Sequence, residues 1–565
     1  MFQPDLAPIG DSLFWSSLVA FLPLLTVFVT LGVLKWKAHW AGLSALAVAL
    51  VVAIAAYGMP VHLAGLSATE GFVFGLFPIM WIVLNAIWLY ELTVTSGRFE
   101  DLRRVIDTIS DDPRVQAIII AFCFGGLLEA LAGFGAPVAI TGVMLMSIGF
   151  TAMRAAVVVL VANTAPVAFG AIAIPIITAG NLTGIDYTEI GAVVGRQTPL
   201  LALFVPLILV LLADGRRGLR QTWPIALVVG VTFAIAQFVS ANWISVELTD
   251  VVASLAGLAA AVLMLRVWRP TGTAEVREAM LAERRSEGQP GDPTPMPVSP
   301  SRVATEPTVD TSTSVALTPA RVLLALFPYL LVIAVFSAAK LWAPIKSWLA
   351  STDAKIPWPG LDGNVLTAAG KVSTSTVYTL GWLSSPGSLL LLSGIVVAIV
   401  YRVSLLDAAR VYAHNLVKLK FSILTVASVL ALAYVMNQSG QTITIGTWIA
   451  GTGAVFAFLS PILGWLGTAV TGSDTSANAL FATLQQTAAQ HAGIDPTLLV
   501  AANTSGGVVG KMISPQNLTI AATAVGLLGR ESDIFRKVIW WSLGMLAVLC
   551  LLVGLQSTVL SWMLP

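Results

Sequence analysis

Apolar runs of about twenty residues recur along almost the whole chain, and a run of that length is enough for an α-helix to cross a bilayer. The runs lie at 12–34, 40–57, 70–95, 192–213, 223–240, 247–265, 321–343, 386–402, 421–438 and 535–561. Only 10% of the 565 residues are charged, whereas soluble proteins carry roughly 25%. The chain is therefore predicted to be an all-α polytopic membrane protein with about 12–14 membrane segments.

Two further stretches, 114–179 and 442–529, are interrupted by polar and helix-breaking residues in the same order. Each holds a glycine-bearing break and then an Ala-Asn-Thr motif that is followed by a proline. These features are 132–137, Asn163-Thr164 and Pro175 in the first stretch, and 471–476, Asn503-Thr504 and Pro515 in the second. Broken, polar sequence at corresponding places in two halves of a hydrophobic chain is typical of transporters whose substrate site lies near the bilayer midplane.

Lys and Arg clusters between the predicted spans all fall on one side of the membrane when the spans are counted, with exceptions in the loop 344–385. The positive-inside rule makes that side cytoplasmic and puts both termini outside. The span 70–95 then runs inward and the span 421–438 runs outward, although each precedes an interrupted stretch with the same motifs. The two halves are therefore predicted to be inverted repeats with broken helices or re-entrant hairpins.

Residues 270–318 differ in composition from the rest, because they are rich in Glu, Arg, Pro, Ser and Thr. Such a segment buries too little apolar surface to offset its ordering entropy, which predicts a flexible cytoplasmic linker. The predicted organisation is an N-terminal repeat 1–213 with the broken region 114–179, connecting transmembrane helices 214–269, the linker 270–318, and a C-terminal repeat 319–565 with the broken region 442–529. Helical spacing of apolar residues within 99–109 predicts an amphipathic helix on the inner membrane face.

Broken helices survive in a bilayer only where they are buried in protein or line a cavity. Their free N–H groups and positive dipole ends suit a small anion such as a carboxylate. The candidate substrate-binding residues are Gly133, Gly135, Asn163, Thr164, Gly472, Ser473, Thr475, Asn503, Thr504, Lys511, Ser514 and Gln516. The alternative is that the polar side chains only hydrogen-bond broken backbone and that the glycines only allow close helix packing.

Charged residues at membrane depth are few, and three of them lie at the predicted site. Glu129 precedes the first break, Asp474 lies in the second, and Lys511 follows the second Ala-Asn-Thr motif. Lys511 is expected either to pair with a substrate carboxylate or to neutralise Asp474. Because burial favours the neutral form of a carboxyl group, Glu129 and Asp474 are the candidates for proton coupling.

Several classes of function lack a sequence signal. The four histidines and two cysteines form no metal-binding spacing, no hydrolase motif is present, and no phosphate-binding loop indicates an ATP-driven pump. No basic run suits nucleic acid. No cofactor or metal is expected, and transport is driven by an ion gradient or is passive.

The stretches 129–140, 162–170, 471–481, 501–507 and 510–516 resemble the lactate permease family of bacterial monocarboxylate transporters, and the resemblance covers nearly the whole chain. Leu131 stands where the family has a small residue, and the linker is peculiar to this chain. The resemblance implies proton-coupled uptake of L-lactate, D-lactate or glycolate across the bacterial inner membrane. It also implies kinship with ion transporters whose transport domain moves like an elevator.

The leading interpretation is a secondary active symporter for a 2-hydroxymonocarboxylate and a proton. A sodium-coupled carboxylate carrier, a dicarboxylate carrier, a passive anion channel and a membrane-embedded enzyme are the alternatives. The lipid bilayer is the expected environment, and a homo-oligomer is left open.

Overall fold

The computed structural model describes residues 1–133, 135–286 and 318–565. Within these ranges, 10 helical segments are long and apolar enough to cross a membrane, and a pair of helices bent by 63° could make an eleventh span. Two more apolar helices, Ala136–Ser147 and Pro386–Val400, are shorter than a full span. The prediction of an all-α polytopic membrane protein is confirmed, since a single two-stranded sheet accompanies the helices in the described ranges.

The N-terminal spans follow the predicted apolar runs, except that the third is longer. The helices are α1 (Leu13–Ala20), α2 (Leu22–Phe28), α3 (Ala38–Ala55), α4 (Val61–Phe74), α5 (Trp81–Thr95) and α6 (Arg98–Asp107), with π-helical turns at Val29–Val33 and Gly75–Met80. The predicted span 70–95 therefore starts at Val61, because the polar residues of α4 hid its beginning. Phe77 is extended and Pro78 lacks an amide hydrogen, so the α4–α5 rod is interrupted there.

The predicted amphipathic helix is α6, and its apolar face packs on protein; its place at the inner membrane face stays a prediction. The Phe99 ring contacts the rings of Tyr90 and Phe124, and Leu102 and Ile106 are buried. Periodicity gives the apolar face of a helix, but it does not say what covers that face.

The first interrupted stretch consists of short helices. They are α7 (Pro113–Ala117), α8 (Gly125–Ala132), α9 (Ala136–Ser147), α10 (Ala152–Ala162) and α11 (Gly170–Thr183), with a π-helical turn at Ile118–Phe124 and a 3-10 turn at Val167–Phe169. Asp112 caps α7 by accepting from the backbone N–H groups of Arg114 and Val115. From there the chain continues as one apolar segment of spanning length, Pro113–Leu131.

The part of the chain that follows the first interrupted stretch has other helix limits than the predicted spans. Its helices are α12 (Tyr187–Ala202), α13 (Val205–Val239), α14 (Thr249–Val267) and α15 (Thr273–Ser286), with a π-helical turn at Ser240–Ile244. The predicted spans 192–213 and 223–240 are wrong in their limits. Pro206 lies in the first turn of α13, a position that suits proline and restarts the helix, and Gly215 breaks α13 with φ of +64°.

The predicted flexible linker 270–318 is helical at its start, where α15 packs on the first half. Arg284 donates to the carbonyl of Met146 at 2.8 Å, and Glu283 pairs with Arg154 at 2.7 Å. This part of the prediction is wrong. The charged residues of α15 form contacts with the first half, whereas a composition rich in charged residues usually indicates disorder. Residues 287–317 lie outside the described part of the chain.

The predicted loop 344–385 is a folded segment between two spans. The elements are α16 (Pro319–Leu341), α17 (Ala343–Ser351), β1 (Ala354–Pro357), a 3-10 turn at Thr374–Thr376, β2 (Val377–Leu380), α18 (Pro386–Val400) and α19 (Leu405–Gln438). β1 and β2 pair antiparallel, with Ala354 opposite Leu380. The backbone of Phe2 bridges to Val365, so the N-terminus is attached to this segment.

The second interrupted stretch and the last span complete the fold. The helices are α20 (Gln441–Ala450), α21 (Phe456–Thr471), α22 (Asp474–Ala492), α23 (Pro496–Gly510), α24 (Pro515–Ala524) and α25 (Glu531–Gln556), with 3-10 turns at Gly453–Val455, Lys511–Ile513 and Ser561–Met563. α22 and α23 form an antiparallel pair and pack on α11, and α24 packs on α9. The two interrupted stretches therefore meet, while their relation by inversion stays a prediction.

Candidate functional site

The first break separates α8 from α9 and leaves backbone groups free. Gly135 has φ of +89°, a conformation that glycine adopts without strain, and the side chain of Ile520 lies where a β-carbon at this position would project. Gly133 is the C-cap of α8, where carbonyl groups have no partner within the helix. The break thus offers a backbone carbonyl to another part of the molecule.

The second break of the first half lies between α10 and α11. Asn163 is the C-cap of α10, and three successive non-glycine residues, Ala171, Ile172 and Ala173, have φ of +45°, +59° and +57°. A left-handed conformation costs such residues roughly 1–2 kcal/mol each. Strain of this kind persists only where the surrounding structure holds it, and it concentrates at ligand sites.

Both breaks surround the carboxyl group of Glu129. A β-carbon would lie 2.9 Å from Glu129 Oε1 at Gly133 and 3.0 Å from it at Gly170. The Asn163 side chain lies beside the same carboxyl. Glu129 is 1% exposed, and its Oε2 has no hydrogen-bond partner among the described residues. Glycine at 133 and 170 is therefore what allows backbone from two breaks to approach one carboxylate.

Lys511 pairs with Glu129 across the two halves. Its Nζ lies 2.5 Å from Glu129 Oε1 and donates to the Gly133 carbonyl at 3.1 Å. The expected pairing of Lys511 with Asp474 is wrong as a direct contact. Lys511 begins the 3-10 turn after α23, and from there its ammonium group reaches α8 rather than the start of α22. Removing one partner of such a buried pair leaves an uncompensated charge and costs about 3–5 kcal/mol.

Asp474 lies at the start of α22 with little hydrogen bonding. Its Oδ1 is 3.5 Å from the Thr468 hydroxyl, and within the described ranges its Oδ2 has no partner. The carboxyl fills the space where a side chain at Gly507 would project. Asp474 is thus a second buried carboxyl at the site, separate from the Lys511–Glu129 pair.

The second Ala-Asn-Thr motif lies inside α23 and is held by Asn478. Asn503 donates to Asn478 Oδ1 at 2.9 Å, and the Asn478 amide donates to Thr504 Oγ1 at 2.9 Å. The same amide also donates to the carbonyl of Pro175 at 3.0 Å. Asn478 therefore joins the second motif to the first half.

These groups form a polar stripe along one face of α23. Asn503, Gly507 and Lys511 are spaced by four residues, so they follow one another about 6 Å apart along the helix axis. The backbone positions of Asn503 and of Lys511, which directly follows α23, are then about 12 Å apart along that axis. Asn478 and Asp474 face this stripe from α22.

The remaining predicted site residues lie at helix ends. Thr164 donates to the Val161 carbonyl at 2.6 Å, and Ser473 caps α22. Ser514 caps α24 and donates to the Lys511 carbonyl at 3.0 Å. Gly472 has φ of +78°, and the exposed Gln516 lies against it. Thr475 is buried at the start of α22. The structure therefore gives Thr164, Ser473 and Ser514 backbone-capping contacts.

Two residues near these groups, Asn478 and Asp250, were not predicted from the sequence. Asn478 follows Asp474 by four positions, so it shares a helix face with that residue. Asp250 is a fully buried carboxyl in α14, and its signal was an acidic residue within the apolar run 247–265. Among the described residues, no group of three His, Cys, Asp or Glu side chains could hold a metal ion.

Comparison with known proteins fits this architecture. A family model described as L-lactate permease matches residues 16–560. The chain belongs to the L-lactate permease family. The L-lactate permease of Bacillus subtilis is 41% identical to this family member and covers 99% of both chains. The glycolate permease GlcA of Escherichia coli is 42% identical and covers 97% of both chains.

Membership of the permease family makes the chain a membrane transporter, and the family resemblance seen in the motifs is confirmed. Among solved structures, Neisseria gonorrhoeae MtrF aligns over 87% of this permease and 83% of its own chain, with 14% identity. Its TM-score of 0.41 is too low to define the fold.

Proposed function

We propose that this permease carries L-lactate, D-lactate and glycolate across the bacterial inner membrane together with a proton. Relatives named L-lactate permease and glycolate permease, 41% and 42% identical over nearly the full length, support this substrate class. The observation that carries the proton part is the buried ion pair between Lys511 and Glu129.

The charge balance of this pair gives a mechanism for coupling. Lys511 and Glu129 together carry no net charge, so the pair can remain buried without a substrate. A substrate carboxylate that bound Lys511 would leave the negative charge of Glu129 uncompensated, and a buried unpaired charge is costly. A proton on Glu129 removes that charge. The charges on Lys511, Glu129 and the substrate then sum to zero in both the loaded and the unloaded state, so one monocarboxylate enters with one proton.

The small-acid specificity follows from the groups around Lys511. In our proposal the substrate carboxylate binds the Lys511 ammonium group and the 2-hydroxyl group binds the Asn163 amide, which lies beside Glu129. Backbone at the Gly133 and Gly170 breaks then encloses the remaining carbon atoms. Asn503 and Thr504, which already contact Asn478, hold the two halves in register rather than contact the substrate.

Alternating access, of an elevator-like kind, is part of the same proposal. Its support is the meeting of the interrupted stretches, since α22 packs on α11 and α24 packs on α9. These helices would move as one body between the two membrane faces, with inverted repeats providing the two equivalent end states. The clusters of Lys and Arg would face the cytoplasm, as would the segment 270–318.

A dicarboxylate carrier needs a second cation at the site. Of the other buried Lys and Arg side chains in the described part of the chain, Arg114 pairs with Asp112 at 2.7 Å, and Arg284 donates to the Met146 carbonyl at 2.8 Å. Lys511 is therefore the cation that the site itself offers, which favours a monocarboxylate.

The test is uptake of labelled lactate by the purified protein in proteoliposomes. An inward proton gradient is expected to drive accumulation, and unlabelled glycolate is expected to compete while succinate is not. Uptake that ignores the proton gradient and requires sodium would overturn the coupling. Conductance that does not saturate with lactate concentration and shows no counterflow exchange would instead identify the protein as an anion channel.

A further inference from the structure

We propose that Asp250 is a second proton-binding residue, which exchanges the proton with Glu129 through a water molecule held between α8, α13 and α14. This inference rests on the proposed proton coupling at Glu129. It adds the group that takes the proton on the side of Glu129 that faces away from Lys511.

Asp250 is buried in a way that structural roles do not explain. It is in the first turn of α14 and 0% exposed, yet neither carboxyl oxygen has a hydrogen-bond partner among the described residues. A capping carboxylate would accept from backbone N–H groups. A buried carboxyl without partners is costly, so its retention indicates a function or an ordered water.

Helix packing sets Asp250 opposite Glu129. The hydroxyl of Ser254 occupies the space where a side chain at Gly126 would project, which fixes the register between α14 and α8. Asp250 lies one turn before Ser254, and Glu129 lies one turn after Gly126. The carboxyl of Asp250 accordingly interacts electrostatically with Glu129 and Lys511.

Unpartnered polar atoms of three helices lie in the region where α14 packs on α8. Oε2 of Glu129, both carboxyl oxygens of Asp250, Oε1 of Gln237 and Oγ of Ser254 are all buried and lack partners within the described ranges. Gln237 lies beside Asp250 and donates to the Ala165 carbonyl at 3.1 Å, which attaches it to the break after Asn163. Two to four such polar groups are what one buried water requires.

The groups that face Asp250 favour a proton over a metal ion or a permanent ion pair. Glu129 on α8 and Lys511 after α23 are the charged groups that act on it. Cys123 lies farther along the same face, beside Gly257, and α13 contributes the neutral Gln237. Glu247, just before α14, already accepts from Tyr187 and Ser245.

The net result of the transfer is that one proton leaves Glu129, and no other atom moves. Asp250 is neutral at rest, because a buried carboxylate without partners is costly, and it first releases its own proton. Protonated Glu129 then gives its proton to the water, and the water gives a proton to the Asp250 carboxylate. Glu129 then carries the negative charge that pairs with Lys511 after the substrate leaves. Asp250 is then neutral again, which returns the site to its starting charge.

The experiment separates proton transfer from substrate binding by comparing two reactions in proteoliposomes. Net uptake under an inward proton gradient requires proton release in each cycle, whereas exchange of lactate with lactate on both sides does not. D250N is expected to lower net uptake by about 100-fold, the size of a lost proton-transfer group, and to leave exchange close to that of the wild type. D250E is expected to restore net uptake with a shifted pH profile.

E70Q is the matched control, because Glu70 is a buried carboxyl in α4 that accepts from Gln438 at 2.8 Å. It is expected to keep both reactions. Net uptake that survives in D250N would overturn the inference, and so would loss of exchange in a correctly inserted D250N. If D250N does not insert, an unchanged pH profile in D250E overturns it and a shifted one supports it. Wild-type uptake without any proton dependence would instead refute the proposed coupling itself.

Discussion

Lys511 connects the charge balance of the site to both halves of the chain. Its ammonium group contacts the Glu129 carboxyl and the Gly133 carbonyl, although it belongs to the second half. A lysine that only neutralised Glu129 would keep the same contacts. A structural role and a substrate-binding role of Lys511 predict different effects on lactate uptake when its charge is removed.

K511A is expected to abolish lactate uptake while the protein still inserts in the membrane. Loss of a buried hydrogen-bonded charge costs about 2 kcal/mol or more, which is about 30-fold in affinity. Lactate binding by calorimetry and uptake in proteoliposomes measure this. K418A is the control, because Lys418 forms a more exposed pair with Glu91. Transport by K511A with unchanged affinity would leave Lys511 a structural residue.

E129Q is expected to bind lactate with an affinity that no longer depends on pH. Glutamine resembles the protonated carboxyl, so the substrate no longer needs a proton to keep the site neutral. In the wild type, the affinity for lactate should fall as the pH rises, because binding requires a proton on Glu129 and fewer protons are then available. Calorimetric titrations from acid to alkaline pH measure the difference, and a wild-type-like pH dependence in E129Q would assign the proton elsewhere.

The breaks act at the scale of elements, because they bring backbone rather than side chains to Glu129. A helix at this place would present side chains around its whole circumference and would keep its carbonyl groups bonded. The absence of side chains at Gly133 and Gly170 leaves room for the Glu129 carboxyl. The interruption of the helix at Gly133 frees its carbonyl group, which accepts from Lys511. The left-handed residues Ala171–Ala173 then change the direction of the chain within the first turn of α11.

G170A is expected to reduce uptake without preventing insertion. The added β-carbon would lie 3.0 Å from Oε1 and 3.1 Å from Cγ of Glu129, which displaces the carboxyl from Lys511. Overpacking of this kind costs typically ~1–3 kcal/mol. G544A is the control, since nothing lies within 4 Å of the position of its β-carbon. Equal uptake by both variants would show that the close approach at 170 is not needed.

At the scale of the whole molecule, a charged network outside the site ties the first half to the connecting part. Arg114 is fully buried and contacts Asp112 at 2.7 Å and Asp214 at 3.2 Å. It also donates to the Thr271 carbonyl at 2.8 Å. The network therefore links the start of α7, the interruption of α13 and the segment before α15.

D112N is expected to lower the free energy of unfolding by about 3 kcal/mol at neutral pH, since Asp214 still compensates Arg114 in part. Burial by itself raises the pKa of Asp112, but the hydrogen bond and charge of Arg114 outweigh it and hold that pKa below its ordinary value of 3.8. A lowered pKa stabilises the fold above the ordinary value, and this stabilisation is lost as the pH falls through the folded-state pKa. The two proteins should therefore converge in strong acid.

Thermal unfolding in detergent at neutral and acid pH measures this effect. D407N is the control, because Asp407 and Arg410 form a largely exposed pair and such pairs contribute about 1 kcal/mol or less. An equal loss of stability at both pH values would contradict the role assigned to the Asp112 carboxylate.

The sequence by itself determined the class and the family, and it marked the neighbourhood of the candidate site. Apolar runs of spanning length require helices in a bilayer, and the two glycine breaks with their Asn-Thr motifs marked the regions that meet. Glu129, Asp474 and Lys511 stood out because charge at membrane depth is rare. Helix limits such as those of α12 and α13 were wrong, since proline and glycine act on geometry that hydropathy does not record.

Only the tertiary structure decided which of these residues touch. Lys511 pairs with Glu129 instead of Asp474, and Asn478 holds the second Asn-Thr motif. These contacts join residues that are far apart in the chain. Periodicity and motif spacing describe one segment at a time, whereas partner choice depends on how separate helices pack. The sequence therefore supplies the charges, and the packing of α8, α14 and α23 determines how they are balanced.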